Sequence, residues 1–118
     1  MNGTSVIILE DEPLVAFALE DMLLDLGVKE VRLATTNAEA MRLLDESVPD
    51  FAVLDVNIRG ERSYGVAGEL SRRQVPFVFA TGYGDAEHPE MLKAVPTVTK
   101  PYSPEDLKSA LAAATGLA

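Results

Sequence analysis

The stretch Val6-Ile7-Ile8-Leu9-Glu10-Asp11 decides the fold. Four apolar residues in a row, most of them β-branched, show no alternation. That is the mark of a strand covered on both faces. Such strands belong to parallel sheets with helices packed on either side. The pattern recurs along the chain. Phe51-Ala52-Val53-Leu54 and Phe77-Val78-Phe79-Ala80 are further continuous runs, while Val31 to Ala34 and Thr97-Val98-Thr99 are weaker ones.

Amphipathic stretches separate these runs. Leu14 to Leu26 sets Val15, Leu19, Met22, Leu23 and Leu26 on one helical stripe, with Pro13 in the first turn and Gly27 as a stop. Thr36 and Glu39 form a capping box that opens a helix carrying Ala40, Met41, Leu43 and Leu44. Val56 to Ser63 reads as a polar loop, followed by a helix over Tyr64 to Arg73. The segment Glu90 to Ala94 carries the poorest helical signal. Ser103-Pro104-Glu105-Asp106 caps a last helix with the stripe Leu107, Ala110, Leu111 and Ala114. Strands alternating with helices in this way predict an α/β fold, a doubly wound parallel sheet with helices on both faces.

The chain of 118 residues fits one compact domain, 1–118, with no room for an output domain. With no cysteine, neither a disulfide framework nor a thiolate metal site is expected, which fits a cytoplasmic location. No apolar run approaches a membrane span, so no membrane association is expected. Nineteen acids against ten basic residues give a formal charge of −9, an electrostatic penalty against nucleic acid.

Open parallel sheets bind ligands at the carboxyl ends of their strands. Here those ends carry Glu10 and Asp11, then Asp55, then Thr81, then Lys100. A lone acid after a strand is ordinarily a turn or cap residue; it is the joint placement that carries the reading. Converging carboxylates repel, and a divalent cation relieves that repulsion. Oxygen-only ligands favour Mg2+ over zinc or copper. Asp55 is placed to act as a nucleophile toward phosphorus. The cation, the Lys100 ammonium and the Thr81 hydroxyl then each have a phosphoryl oxygen to neutralise or bond.

Four motifs, Leu9-Glu10-Asp11-Glu12, Val53-Leu54-Asp55-Val56-Asn57, Thr81-Gly82 and Lys100-Pro101, resemble those of the response regulator receiver family over essentially the whole chain. The resemblance implies the CheY-like, flavodoxin-like (βα)5 sheet of strand order 2-1-3-4-5. It further implies that Asp11 and Asp55 bind Mg2+ directly, with the Asn57 backbone carbonyl as a third ligand and Glu10 acting through water. Asp55 would accept a phosphoryl group from a sensor histidine kinase, and the domain would signal to an unidentified downstream protein as a monomer or weak dimer. A phosphate sink for a shared kinase is the other outcome open to such a domain. Phe79-Ala80-Thr81-Gly82-Tyr83 resembles the FAT GUY subfamily of receivers.

Two departures bear on output. Thr97 stands where receivers usually carry a reporting aromatic, and Arg59 where they usually carry proline. The expected relay is therefore the segment from Thr81 to Glu90, with Gly82 and Gly84 giving freedom and Tyr83 either the reporting aromatic or a surface ring. Pro101 would follow a cis peptide bond. His88 reads as a solvated loop residue. Arg59, Glu61 and Arg62 read as a solvated loop beside the acceptor. Two alternatives come from other classes. A flavodoxin-like cofactor module would need a phosphate-cradling loop where Glu10-Asp11-Glu12-Pro13 stands. An aspartyl-phosphate phosphatase would need a cap for its substrate.

Overall fold

A computed structural model of the chain describes residues 4–81, 95–99 and 103–115, the side chain of Thr81 apart. In chain order the elements are β1 (Ser5–Leu9), α1 (Pro13–Asp25), β2 (Glu30–Ala34), α2 (Asn37–Glu46), β3 (Phe51–Asp55), β4 (Asn57–Ile58), β5 (Glu61–Arg62), α3 (Tyr64–Arg72), β6 (Phe77–Thr81), β7 (Thr97–Thr99) and α4 (Pro104–Thr115). The main sheet is parallel throughout, in the order β2-β1-β3-β6-β7. Counted over its own five strands, this is the expected 2-1-3-4-5. The weak helix expected over Glu90 to Ala94 lies outside the described residues.

Alternate residues of each strand face opposite sides, so the sheet divides two cores. Ile7, Leu9, Ala52, Leu54, Phe77 and Phe79 meet Ala40 and Leu44 of α2 and Val66, Ala67 and Leu70 of α3. Val6, Ile8, Phe51, Val53, Val78 and Ala80 meet Leu19 and Leu23 of α1 and Leu107, Ala110 and Leu111 of α4. The continuous apolar runs thus have the cause read from them: both faces are covered. Phe79 is wholly buried and meets Phe77 and Tyr64 edge-on, at centroid distances of 5.6 and 6.1 Å.

The helix ends follow local chemistry. Pro13 occupies the first turn of α1, and Gly27 (φ 97°) ends it in a Schellman turn, with Val28 N–H donating to the Leu23 carbonyl at 3.1 Å. At α2, Thr36 Oγ1 accepts from the Glu39 amide at 3.0 Å, while the Glu39 carboxylate accepts from the Thr35 amide at 2.7 Å. Ser103 and Asp106 cap α4 reciprocally at 3.1 and 3.0 Å. The end of α3 repeats the Schellman turn with Gln74, not glycine, in the left-handed position (φ 60°).

Two readings need correction. On α1 the buried residues are Ala16, Leu19 and Leu23, whereas Val15, Met22 and Leu26 are half-buried. The buried line thus lies slightly to one side of the predicted stripe, and Leu14, Phe17 and Leu24, all off that stripe, are exposed. The segment from Val56 to Ser63 is no irregular polar loop. It contains the antiparallel hairpin β4–β5, and Val56, Ile58 and Ser63 are buried. Its two-residue turn, Arg59-Gly60, has both residues at positive φ (52° and 81°), as a type I′ turn requires. Holding a non-glycine residue there costs on the order of 1–2 kcal/mol.

Candidate functional site

The register of the central strands builds the site. β1 and β3 pair Val6 with Phe51 through Leu9 with Leu54, so Glu10 and Asp55 are the next positions in line. The same alternation that turns Val6, Ile8, Phe51 and Val53 toward α1 and α4 turns both acids to that side. Glu10 stays in the ladder, its amide donating to the Ala34 carbonyl at 3.0 Å. Asp11 follows at the bend before α1.

The result is a cluster in which one carboxylate oxygen each from Glu10, Asp11 and Asp55 lies within 4.8 Å of the others. Glu10 and Asp55 are only 2% and 7% exposed, while Asp11 sits half-buried at the rim. Burying acids together is costly without compensating positive charge. Their orientation is fixed by main-chain amides. Glu12 N–H donates to Glu10 Oε2 at 3.1 Å, Asn57 N–H to Asp55 Oδ1 at 3.2 Å, and Arg59 N–H to Asp11 Oδ2 at 2.9 Å. One oxygen from each carboxylate makes a hard, all-oxygen donor set of the kind a magnesium or calcium ion takes.

Of the predicted site residues, Glu10, Asp11 and Asp55 are thus brought together. Asn57 opens β4 two residues after Asp55 and is exposed. Thr81 ends β6 beside Asp55, since β3 and β6 pair Asp55 with Ala80. Thr97 lies exposed on β7, its hydroxyl donating to the Val95 carbonyl at 3.3 Å. Gly82, Tyr83, Lys100 and Pro101 lie outside the described residues, as does the Thr81 side chain. Sequence reasoning missed the Arg59 amide. The available signal was the Val56–Ile58 alternation running into Arg59-Gly60, a hairpin turn with glycine second.

A parallel sheet with buried acids at the ends of its first and third strands defines a class, and the chain belongs to it: residues 6–112 match the response regulator receiver domain family. Among solved structures it is similar to SdrG from Sphingomonas melonis Fr1, at 41% identity and TM-score 0.84, covering 93% of this chain and 94% of that one. It is also similar to the BeF3-activated conformation of SdrG from Pseudomonas melonis Fr1, at 40% identity and TM-score 0.81, covering 97% and 98%. The phyllosphere-induced regulator PhyR of Methylorubrum extorquens is 28% identical over 121 residues, which are 95% of this chain and 43% of PhyR. The positive alginate biosynthesis regulatory protein of Pseudomonas aeruginosa is 32% identical over 112 residues, 91% of this chain and 45% of that protein. The chain spans less than half the length of the curated relatives it matches, with coverages of 43%, 45% and 44%. As a receiver domain it belongs with signalling proteins whose role depends on phosphorylation, not with classical enzymes. No helix among the described residues is long and apolar enough to cross a membrane.

Proposed function

We propose that the domain accepts a phosphoryl group on Asp55 from the phosphohistidine of a sensor kinase and passes the signal on by phosphorylation-dependent binding of a downstream protein. The observation that carries this reading is the meeting of Glu10, Asp11 and Asp55 oxygens within 4.8 Å at the strand ends. The donor set fits Mg2+. Asp11 and Asp55 would hold it directly, the Asn57 carbonyl would be a third ligand, and Glu10 would act through water. When bound, the ion supplies positive charge to the oxygens of the incoming phosphoryl group.

The chain's own residues do the rest. An Asp55 carboxylate oxygen attacks phosphorus in line, the P–N bond to the donor imidazole breaks, and that imidazole leaves with a proton. The acyl phosphate later hydrolyses by in-line attack of water. Burial of Asp55 limits the directions of approach and keeps the carboxylate where a donor must enter. Lys100 and the Thr81 hydroxyl are assigned to two phosphoryl oxygens, with Gly82, Tyr83, Thr97 and Pro101 in the response that follows. The donor would dock over α1, where exposed Leu14, Phe17 and Leu24 share one helix face that starts beside Asp11. A cytoplasmic setting is part of the same reading.

The test is phosphorylation by acetyl phosphate or a phosphorylated kinase, with and without Mg2+, read by intact mass and by trapping of the acyl phosphate. One phosphoryl group is expected on the wild type only with Mg2+, and none on Asp55→Asn. Labelling of Asp55→Asn to the same extent would sink the assignment.

A further inference from the structure

The three clustered carboxylates are held in two different ways. Glu10 and Asp55 each accept from the amide two residues further along, Glu12 and Asn57, a bond the local chain forms by itself. Asp11 has no such option. The residue two beyond it is Pro13, which has no N–H, and that proline is fixed as the opening of α1. Its amide donor comes instead from Arg59, far along the chain, at 2.9 Å.

We propose that Arg59 is a positioning residue for the acidic pocket: its main-chain amide, carried on the turn of the β4–β5 hairpin, holds the Asp11 carboxylate in place for the cation. Three observations converge on this. The hairpin pairs Asn57 with Arg62 and Ile58 with Glu61, so the Arg59 amide has no place in its own ladder and is free to point outward. Arg59 takes the left-handed conformation (φ 52°) that such a turn demands, although asparagine, aspartate or glycine would take it more readily. Its side chain gives a reason for arginine: Nε donates to the Thr35 carbonyl at 3.3 Å, tying the turn to the end of β2. The turn is thereby anchored to β2, joined through Val56 to the acceptor strand, and aimed at Asp11.

The proposal rests on reading the pocket as a cation site, and its test separates the two. Arg59→Gly and Arg59→Pro both remove the guanidinium charge. Glycine keeps the amide and the positive φ, whereas proline abolishes both. Calorimetric Mg2+ titration should find Arg59→Pro weaker than Arg59→Gly by about tenfold or more, in the range typical for groups that orient a metal ligand. A role of Arg59 through charge alone predicts instead that the two variants bind equally, and that result overturns the proposal.

A second arm needs no metal and no altered turn. Amide exchange at Arg59, measured by NMR without Mg2+, should be faster in Asp11→Ala than in the wild type by about tenfold, the loss of a hydrogen bond to a charged acceptor. Unchanged exchange overturns the proposal even if Mg2+ binds. Absence of Mg2+ binding by the wild type, with exchange at Arg59 responding as expected, would count against the cation reading and leave the tether standing.

Discussion

Replacing Asp55 by asparagine removes the charge that folding brings against two others. Glu10 and Asp11 are neighbours in sequence, so their mutual repulsion persists in the unfolded chain. Asp55 is different, because only folding carries it to them. The three donor atoms lie within 4.8 Å of one another. At that separation two unit charges repel by about 0.9 kcal/mol in water-like surroundings and about 3.5 kcal/mol at an effective dielectric near 20. Asn keeps the shape of the side chain and an oxygen to accept from the Asn57 amide. It gives up any attraction Asp55 has to nearby positive charge, which offsets part of the relief. A net gain of about 1 kcal/mol is the expected outcome, or roughly 3–6 °C in Tm for a domain of this size. Thermal melts in EDTA at low ionic strength read it directly, and salt should shrink the difference. Added Mg2+ should then stabilise the wild type by about 1.4 kcal/mol at ten times its Kd, enough to bring its Tm to or slightly past that of the variant, which responds much less. If Asp55→Asn melts at or below the wild type in EDTA, the acids do not strain one another and the electrostatic argument for a cation fails.

Gln74→Gly should stabilise the fold. Relief of the left-handed penalty, about 1–2 kcal/mol, exceeds the extra freedom glycine gives the unfolded chain, about 0.5–1 kcal/mol, leaving a gain near 0.5–1 kcal/mol in urea unfolding. Thr36→Ala removes the acceptor for the Glu39 amide at the start of α2 and should cost about 1 kcal/mol in the same assay. The Glu69 carboxyl is lowered from 4.5 to about 2, chiefly by hydrogen bonds from Arg72 and then Arg73. Its contribution is therefore fully present above pH 4.5 and lost as pH falls through about 2. The stability gap between wild type and Glu69→Gln, followed by circular dichroism, should be constant above pH 5 (roughly) and close in that acid window.

Much of this was legible because it depends on short-range pattern. Val6 to Leu9 reads as a doubly covered strand without reference to any other segment, and the rule for open sheets then brings Glu10 and Asp55 to the same edge. The caps at Thr36 and Ser103 are equally local. What the pattern hid depends on meetings between distant segments. That Ala16 is buried on α1 while Met22 is only half-buried depends on how the helix meets the sheet. The hairpin was masked by Glu61 and Arg62, whose polarity suits a solvated strand as well as a loop. Gln74 gives no warning of a left-handed residue, since glycine is the expected one there. The tether from Arg59 to Asp11 could not be seen at all without knowing where the turn points.

The division of the sheet into two packed sides gives the molecule an asymmetry of risk. Both buried acids ride on positions that share the α1 and α4 side, while Leu44, Val66 and Leu70 answer only to the other. Repacking beneath α2 and α3 reaches Glu10 and Asp55 only along the chain, by way of Leu9, Leu54 and Val56, which flank them on that side. A change beneath α1 or α4 acts on the side the acids face, by way of Ile8 and Val53 two positions earlier. The α2 and α3 side is thus the one where variation bears less directly on the acids.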